Sequence, residues 1–334
     1  MPQDTPPKVL VTGGAGYIGS HACKALARAG YVPVTFDSLV TGWREAVRFG
    51  PFEEGDLRDR DRIEAVLRRH EPVAVMHFAA LSSVGEASRD PGLYWDNNVI
   101  GSLRLVQAMA ATGVGTLVFS STCATYGEQD GVMLDETCPQ QPLNAYGASK
   151  RAVEDLIRNV AAAPGVTLAH VFFRYFNVAG ADPEAELGEF HRPETHLIPL
   201  ALDAVRGRRD RLTIFGEDYP TPDGTCVRDY VHVTDLVAAH VLGLDYLLAG
   251  GASEVFNLGT GRGFSVREVV EAVARVTGEP VPAVIGPRRE GDCAALVSGS
   301  VRAAERLGWT PAHSTLDEMI STAWAWHQRP GYRA

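Results

Sequence analysis

Apolar runs of strand length alternate with amphipathic stretches through the first half of the chain, and this rhythm limits the fold more than any other feature. The runs are Lys8–Val11, Val32–Phe36, Val73–Phe78, Thr116–Thr122 and Val166–Phe173. Between them lie Tyr17–Arg28, Arg60–Arg69, Leu93–Ala111 and Tyr146–Ala162, which read as helices. The alternation predicts βαβ units, hence an α/β fold with a doubly wound, Rossmann-like parallel sheet covered on both faces and joined by right-handed crossovers. Gly30 and Gly113 stand where helix C-termini belong. Beyond Gly180 the rhythm gives way to loop-like stretches, Ala181–Pro193 and Gly216–Thr225; long loops of this kind commonly serve a binding site. We therefore expect residues 1–180 to form a dinucleotide-binding unit and 181–334 a smaller, irregular α/β substrate lobe. The boundary is expected to be interleaved, because Val255–Gly259 reads as a strand that returns part of 230–260 to the main sheet.

The helix at Tyr17 opens directly after a strand, through Gly13-x-x-Gly16-x-x-Gly19. In that context the glycines permit a tight turn, close approach of backbone to a pyrophosphate and close helix–strand packing, while the helix N-terminus offers amide donors. The spacing is that of the short-chain dehydrogenase/reductase group. Asp37 ends the second strand about twenty residues on, where a carboxylate accepts hydrogen bonds from ribose hydroxyls and repels a 2′-phosphate, so NAD is expected rather than NADP. Asp56 and Leu57, and then Phe78, Ala79 and Ala80, also follow strands, at the edge where ligands bind in such sheets.

Tyr146 and Lys150 lie one helical turn apart on one face. A tyrosine with its usual pKa of about 10 is a poor base near neutrality. Lys150 and a positive nicotinamide ring are expected to favour the phenolate, with Thr122 at its strand end hydrogen-bonding the same substrate hydroxyl. Together with the glycine loop, these residues describe hydride chemistry at a sugar or alcohol carbon.

Other chemistries fit poorly. A formal charge of −10 argues against a general nucleic-acid or anionic-membrane binder, and no apolar run approaches the roughly 20 residues a membrane helix needs. The five cysteines are odd in number and contain no Cys-x-x-Cys, so a reducing cytoplasm is expected. The ten histidines show no His-Glu-x-x-His or comparable pairing, so no metal is expected.

Seven motifs occur in order: Thr-Gly-Gly-Ala-Gly-Tyr-Ile-Gly, His-Phe-Ala-Ala, Asp-Asn-Asn-Val, Tyr-Gly-Ala-Ser-Lys, Arg-Tyr-Phe-Asn, Gly-Thr-Cys-Val-Arg-Asp-Tyr and Pro-Arg-Arg-Glu-Gly-Asp. With them the chain, from about Lys8 to about Trp326, resembles the UDP-glucose 4-epimerase family of extended short-chain dehydrogenases/reductases. The resemblance implies that Tyr146 takes the proton of the sugar 4-hydroxyl while the C4 hydride passes to tightly held NAD. The 4-keto sugar then rotates and hydride returns to its opposite face, interconverting UDP-glucose and UDP-galactose. It also implies Tyr17, Ile18, Ser82, Asn97 and Tyr175 as further cofactor contacts. For the UDP-sugar it implies Asn177, His196 and Leu197 toward the phosphates, and Thr213 and Phe215 at the uracil end. Arg228, Arg289 and Asp292 fall to the diphosphate and ribose, and Leu296 stands beside the sugar. Arginine suits bidentate diphosphate recognition; the alternative for Arg228 and Arg289 is surface pairing with Asp229 or Glu290. A homodimer through Leu93–Ala111 and Tyr146–Ala162 is implied as well.

Four positions depart from common family members. Thr122 stands for serine, Ser82 for a lysine, His196 for an asparagine, and Leu296 for a tyrosine or cysteine. Competing readings are an epimerase of UDP-N-acetylhexosamines or UDP-pentoses, a nucleotide-sugar dehydratase and a non-catalytic NAD-binding regulator. Cys123-Ala124 supplies no acid after Thr122, which disfavours the dehydratase; intact Tyr146, Lys150 and Thr122 disfavour the regulator.

Overall fold

A computed structural model describes residues 6–129, 133–289, 292–299, 301–329 and 331–332. The first half runs β1 (Lys8–Thr12), α1 (Tyr17–Arg28), β2 (Val32–Asp37), β3 (Phe52–Glu54), α2 (Arg60–His70) and β4 (Ala74–His77). It continues through α3 (Val84–Arg89), α4 (Pro91–Tyr94), α5 (Gly101–Thr112), β5 (Thr116–Thr122), α6 (Ala145–Ala161) and β6 (Ala169–Tyr175). There follow β7 (Asn177–Ala179), α7 (Leu197–Val205), β8 (Leu212–Phe215), β9 (Val227–His232), α8 (Val233–Leu248) and β10 (Glu254–Leu258). The last elements are β11 (Gly263–Ser265), α9 (Val266–Thr277), β12 (Ala283–Gly286), β13 (Ala295–Leu296), α10 (Arg302–Leu307) and α11 (Leu316–His327).

Seven strands form one parallel sheet in the order β10-β6-β5-β4-β1-β2-β3. Successive residues of a strand point to opposite faces, and β1 shows how both faces become core. Val9 and Val11 join Met76, Val118, Phe173 and Phe256 in a cluster that also takes Leu26 of α1 and Leu236 of α8. Leu10 instead joins Val75, Leu117 and Phe172, together with Leu67 of α2, Leu105 of α5 and Ile157 of α6. The chain leaves β1 in one direction for β2 and β3 and returns on its other side for β4, β5 and β6. The switch point therefore falls between β1 and β4, where a crevice opens at the strands' carboxyl ends.

The stretch Leu93–Ala111, expected as one helix, divides. Between α4 and α5 the turn Trp95–Ile100 has π-helical hydrogen bonding, while Tyr94, Trp95, Ile100 and Gly101 keep right-handed helical dihedrals, so the rod continues. The widened turn accompanies the inward placement of Asn98, which is 2% exposed and binds the backbone of Leu81 in both directions. Such bulges gather at functional sites.

The remaining residues build a smaller unit on β9, which pairs in parallel with β7 and β13 and antiparallel with β11. A separate ladder joins β8 to β12. Ile198 and Leu202 of α7, Val269 and Val273 of α9, and Met319 and Ile320 of α11 share one buried cluster with Ile214 and Tyr230.

Candidate active site

The glycine loop is folded so tightly that side chains have no room. A Cβ on Gly19 would lie 2.1 Å from the Gly13 carbonyl oxygen. One on Gly13, whose φ of +73° already suits glycine, would meet the Ala79 amide nitrogen at 2.6 Å. The Phe78–Ala79 backbone thus packs directly onto the loop, and both amides donate to the Thr12 carbonyl (3.0 and 3.1 Å). Gly16 begins α1 without any side-chain cap, which leaves the first helical amides for an anion. Asp37, at the end of β2, accepts from the amides of Ala15 (3.0 Å) and Leu39 (2.9 Å). Burial raises its carboxyl above the usual range against the pull of those amides. The bare helix start, the close-fitting glycines and the strand-end carboxylate suit a dinucleotide. Tyr17 donates to the Gly180 carbonyl (2.6 Å), tying this loop to the chain where the smaller unit begins, while Ile18 packs against the core. Leu57 is buried beneath Gly101, and Asp56 pairs with Arg58 at 2.6 Å.

Thr122, Tyr146 and Lys150 come together across the carboxyl end of β5. Asn144 caps α6 by accepting from the Gly147 amide (2.9 Å), which fixes the turn that carries Tyr146. Gly147 is required there because a Cβ would lie 2.4 Å from the Ala124 carbonyl. One turn on, Lys150 is 3% exposed, donates to the Ser120 carbonyl (2.9 Å) and lies 4.9 Å over the Phe119 ring. The Thr122 hydroxyl oxygen accepts from the Ala124 amide (3.1 Å), and the hydroxyl is close enough to the Tyr146 phenol to act on its acidity.

The protein's own groups do not make this phenol acidic. Burial pushes it well above its ordinary value, Tyr175 adds to that, and the Thr122 hydroxyl opposes it. Burial brings the Lys150 ammonium down to about 7, against the attraction of Glu154 one turn further on. Burial is the largest influence on both groups in the protein without cofactor, before the nicotinamide charge that the expectation also invokes is added.

Several supporting residues were missed in the sequence. Asn98 donates to the Ser149 hydroxyl (3.1 Å), joining α6 to the loop after β4, whereas its neighbour Asn97, the residue expected at the cofactor, donates to Asn98 itself (2.9 Å). The Tyr94 phenol donates to the Ser83 carbonyl (2.7 Å), and its ring meets Tyr146 edge-on at 6.5 Å. Tyr175 and Ser120 share a short hydroxyl–hydroxyl hydrogen bond. Ser82 is exposed. The motif Asp-Asn-Asn-Val contained the Asn98 signal; nothing local distinguished the two asparagines.

In the smaller unit, register brings Arg228 directly opposite Leu296 through the β9–β13 ladder. Arg228 donates from one nitrogen to the Val227 and Cys293 carbonyls (both 2.9 Å), and another lies 3.9 Å from Asp292. Asp229 is not its partner, being buried and held by the amides of Thr260, Gly261 and Ser298. Leu296 packs with Cys123, Tyr126 and Phe176, beside Thr122 and Asn177 in sequence. Arg289 lies 4.4 Å over the Phe215 ring, at the end of the strand carrying Thr213; Glu290 lies outside the described residues. His196 precedes Leu197 at the uncapped start of α7, but its ring is held by Glu189 (2.6 Å) and Glu194 (3.3 Å) and its amide by Glu194 (2.8 Å).

Residues 9–259 match the model of the NAD dependent epimerase/dehydratase family. The chain is 52% identical over 321 residues to UDP-glucose 4-epimerase of Rhizobium leguminosarum bv. trifolii, covering 96% of this chain and 97% of the relative. UDP-glucose 4-epimerase of Brucella ovis, solved in complex with NAD, superposes with a TM-score of 0.93 at 48% identity, covering 96% of this chain and 98% of the other. The Stenotrophomonas maltophila enzyme, solved with NAD and formylated UDP-arabinopyranose, gives a TM-score of 0.93 at 42% identity over the same shares. With a family model matched across three-quarters of its length and a close relative matched along nearly all of it, the chain belongs to the NAD dependent epimerase/dehydratase family and, within it, to the UDP-glucose 4-epimerases.

Proposed function

We propose that this chain interconverts UDP-glucose and UDP-galactose at sugar C4 with Tyr146 as the proton-transfer residue. The observation that carries the reading is the convergence of Thr122, Tyr146 and Lys150 at the sheet edge next to the glycine loop and Asp37. NAD, when bound, would supply reversible hydride transfer at the sugar C4. Tyr146 takes the proton of the 4-hydroxyl and gives one back on return, Thr122 holds that hydroxyl, and Lys150 sets the field around both. Gly13, Gly16, Tyr17, Ile18 and Gly19 would hold the cofactor's phosphates, with Asp37 at the ribose. Asp56, Leu57, Phe78, Ala79, Ala80, Ser82, Asn97 and Tyr175 would line its remaining length. Asn177 and Leu197 are assigned to the UDP phosphates, Thr213 and Phe215 to the uracil, and Arg228, Arg289 and Asp292 to the diphosphate and ribose. His196 acts by positioning, since its ring and amide are both taken by glutamates. In this division residues 1–180 serve the cofactor and 181–334 the UDP-sugar, in a cytoplasmic enzyme. Incubation with UDP-galactose is expected to yield UDP-glucose and the reverse, with near-UV absorbance showing transient cofactor reduction. Absence of both would refute the reading.

Leu296 is assigned to sugar choice. Leucine leaves more room than tyrosine but offers no hydrogen bond to an acetamido group, so UDP-glucose and UDP-galactose are the expected preferred pair. Leu296→Tyr should suppress N-acetylated sugars by an overpacking cost of about 1–3 kcal/mol and spare the smaller pair. Equal catalytic efficiency toward both classes before and after the change would remove Leu296 from this role.

The chain is further proposed to form a homodimer through the α4–α5 rod and α6. Leu93, Trp95 and Ile100 are 37%, 44% and 38% exposed, apolar side chains on the rod that a second copy would cover. Light scattering should give twice the chain mass for the wild type and a smaller mass for Trp95→Glu; a monomeric wild type would contradict the proposal.

A further inference from the structure

Four ligand-type side chains gather on the loop that leads into α7. Glu189, His191, Glu194 and His196 follow the pattern Glu-x-His-x-x-Glu-x-His, and one ligand atom from each lies within 4.8 Å of the others. His196 Nδ1 is 2.6 Å from Glu189 Oε1 and 3.3 Å from Glu194 Oε1. His191 Nδ1 is 3.3 Å from Glu189 Oε1 and 3.5 Å from Glu194 Oε2. Glu189 is only 6% exposed. The His191 Nδ1 atom is itself completely buried, yet it makes no hydrogen bond to the two carboxylates beside it.

Three of these four separations, 3.3, 3.3 and 3.5 Å, suit the edges of a coordination polyhedron, and the 2.6 Å His196–Glu189 contact is a hydrogen bond that an ion would replace and open. Nitrogen and oxygen ligands held about 2.0–2.2 Å from a tetrahedral metal stand roughly 3.3–3.6 Å apart. A cavity of about 310 Å³ borders Glu189, His191 and Glu194 and gives an ion access to them. The nearby Arg192 is turned onto the rings of Trp43 and Phe190, at 5.3 and 5.2 Å. A second convergence of carboxylates, Asp182, Glu184 and Glu186, differs in kind, because the Lys24 ammonium already sits among them at 2.8, 2.6 and 2.7 Å.

We propose that Glu189, His191, Glu194 and His196 bind one divalent transition-metal ion of the zinc class. Two imidazoles and two carboxylates fill four positions and balance the ion's charge, leaving no open position for water or substrate, as in a closed site rather than a catalytic one. The sequence pattern escaped notice because its histidines are five residues apart and interleaved with glutamates, unlike the helical His-Glu-x-x-His. The ion would join two parts of the ligand-binding face: His196 adjoins Leu197 at the start of α7, and His191 meets the ring of Tyr17 from the glycine loop edge-on at 6.5 Å.

The test uses the full chain and no turnover measurement, so its failure leaves the epimerase reading standing. Chelator-stripped protein is titrated with zinc chloride and, separately, with cobalt(II) chloride. We expect one equivalent of zinc to survive desalting, and the cobalt form to show the intense visible bands of four-coordinate cobalt(II). His191→Asn and Glu194→Gln should each lose both signals. X-ray absorption of the wild-type zinc form should show two imidazole nitrogens and two oxygens, which keeps the proposal testable should a variant fail to fold. No retained zinc, six-oxygen coordination, or undiminished retention in folded variants would overturn it and leave the quartet as a pair of imidazole–carboxylate contacts.

Discussion

Tyr146→Phe is expected to lower turnover of UDP-galactose roughly one hundred- to ten-thousandfold while leaving NAD and UDP-sugar binding close to wild type. The substitution removes the proton acceptor and almost no volume, and the ring keeps its edge-on contact with Tyr94. The pH dependence should separate this chemical loss from a structural one. Burial holds the phenol above its ordinary value in the protein without cofactor, and a bound nicotinamide cation would lower it, so the ionised fraction grows about tenfold for each pH unit below the phenol's pKa in the NAD-loaded enzyme. Wild-type kcat/KM should therefore climb with pH up to that pKa and level off above it, and the residual activity of the variant should lack that slope. A Tyr146→Phe enzyme turning over at the wild-type rate would dismiss Tyr146 as the base.

Glu154→Leu should cost about 3–5 kcal/mol of stability, the usual result of removing one partner from a buried ion pair. Glu154 is fully buried on α6 and accepts two bonds from Arg174 of β6 (2.9 and 2.6 Å), one from Ser121 of β5 (2.6 Å), one from the partly exposed Arg158 a turn further on (2.9 Å) and one from Gln140 (3.3 Å). Arg174 in turn donates to the Tyr126 hydroxyl (3.0 Å), which donates to Asn257 of β10 (2.6 Å). Leucine would leave a guanidinium 3% exposed whose other hydrogen bond among the described residues goes to that tyrosine. The double change Glu154→Leu with Arg174→Met removes the stranded charge as well, and should recover much of the loss. Urea midpoints of the three proteins measure this directly; a double variant no more stable than the single one would assign the cost to packing.

Much of the fold was legible because its signals are local. The helix Tyr17–Arg28 and the strand Thr116–Thr122 have the bounds read from periodicity and glycine placement. The grouping of Thr122, Tyr146 and Lys150 was equally legible, since Tyr146 and Lys150 share one helix and Thr122 ends one strand. Long-range choices were not. The burial of Asn98 in place of Asn97 depends on a π-helical turn that Leu81 and Ser149 stabilise from elsewhere in the chain. The pairing of Glu154 with Arg174 joins α6 to β6, and no local pattern announces it. The direction of the Tyr146 and Lys150 shifts was hidden for another reason: sequence shows which charges are near, but only the completed fold shows how much water has been removed around them.

The place of β10 in the large sheet bears on how the chain must be made. β6, Ala-His-Val-Phe-Phe-Arg-Tyr, leaves the ribosome about eighty residues before the strand that covers its outer edge. At about 5–20 residues per second, the gap lasts roughly four to sixteen seconds. Throughout that interval a nascent chain displays an uncovered, largely apolar strand able to pair with a neighbour's. Until Glu254–Leu258 arrives, the growing polypeptide therefore depends on its surroundings, on chaperone capture or the spacing of translating ribosomes, to keep that edge from the wrong partner.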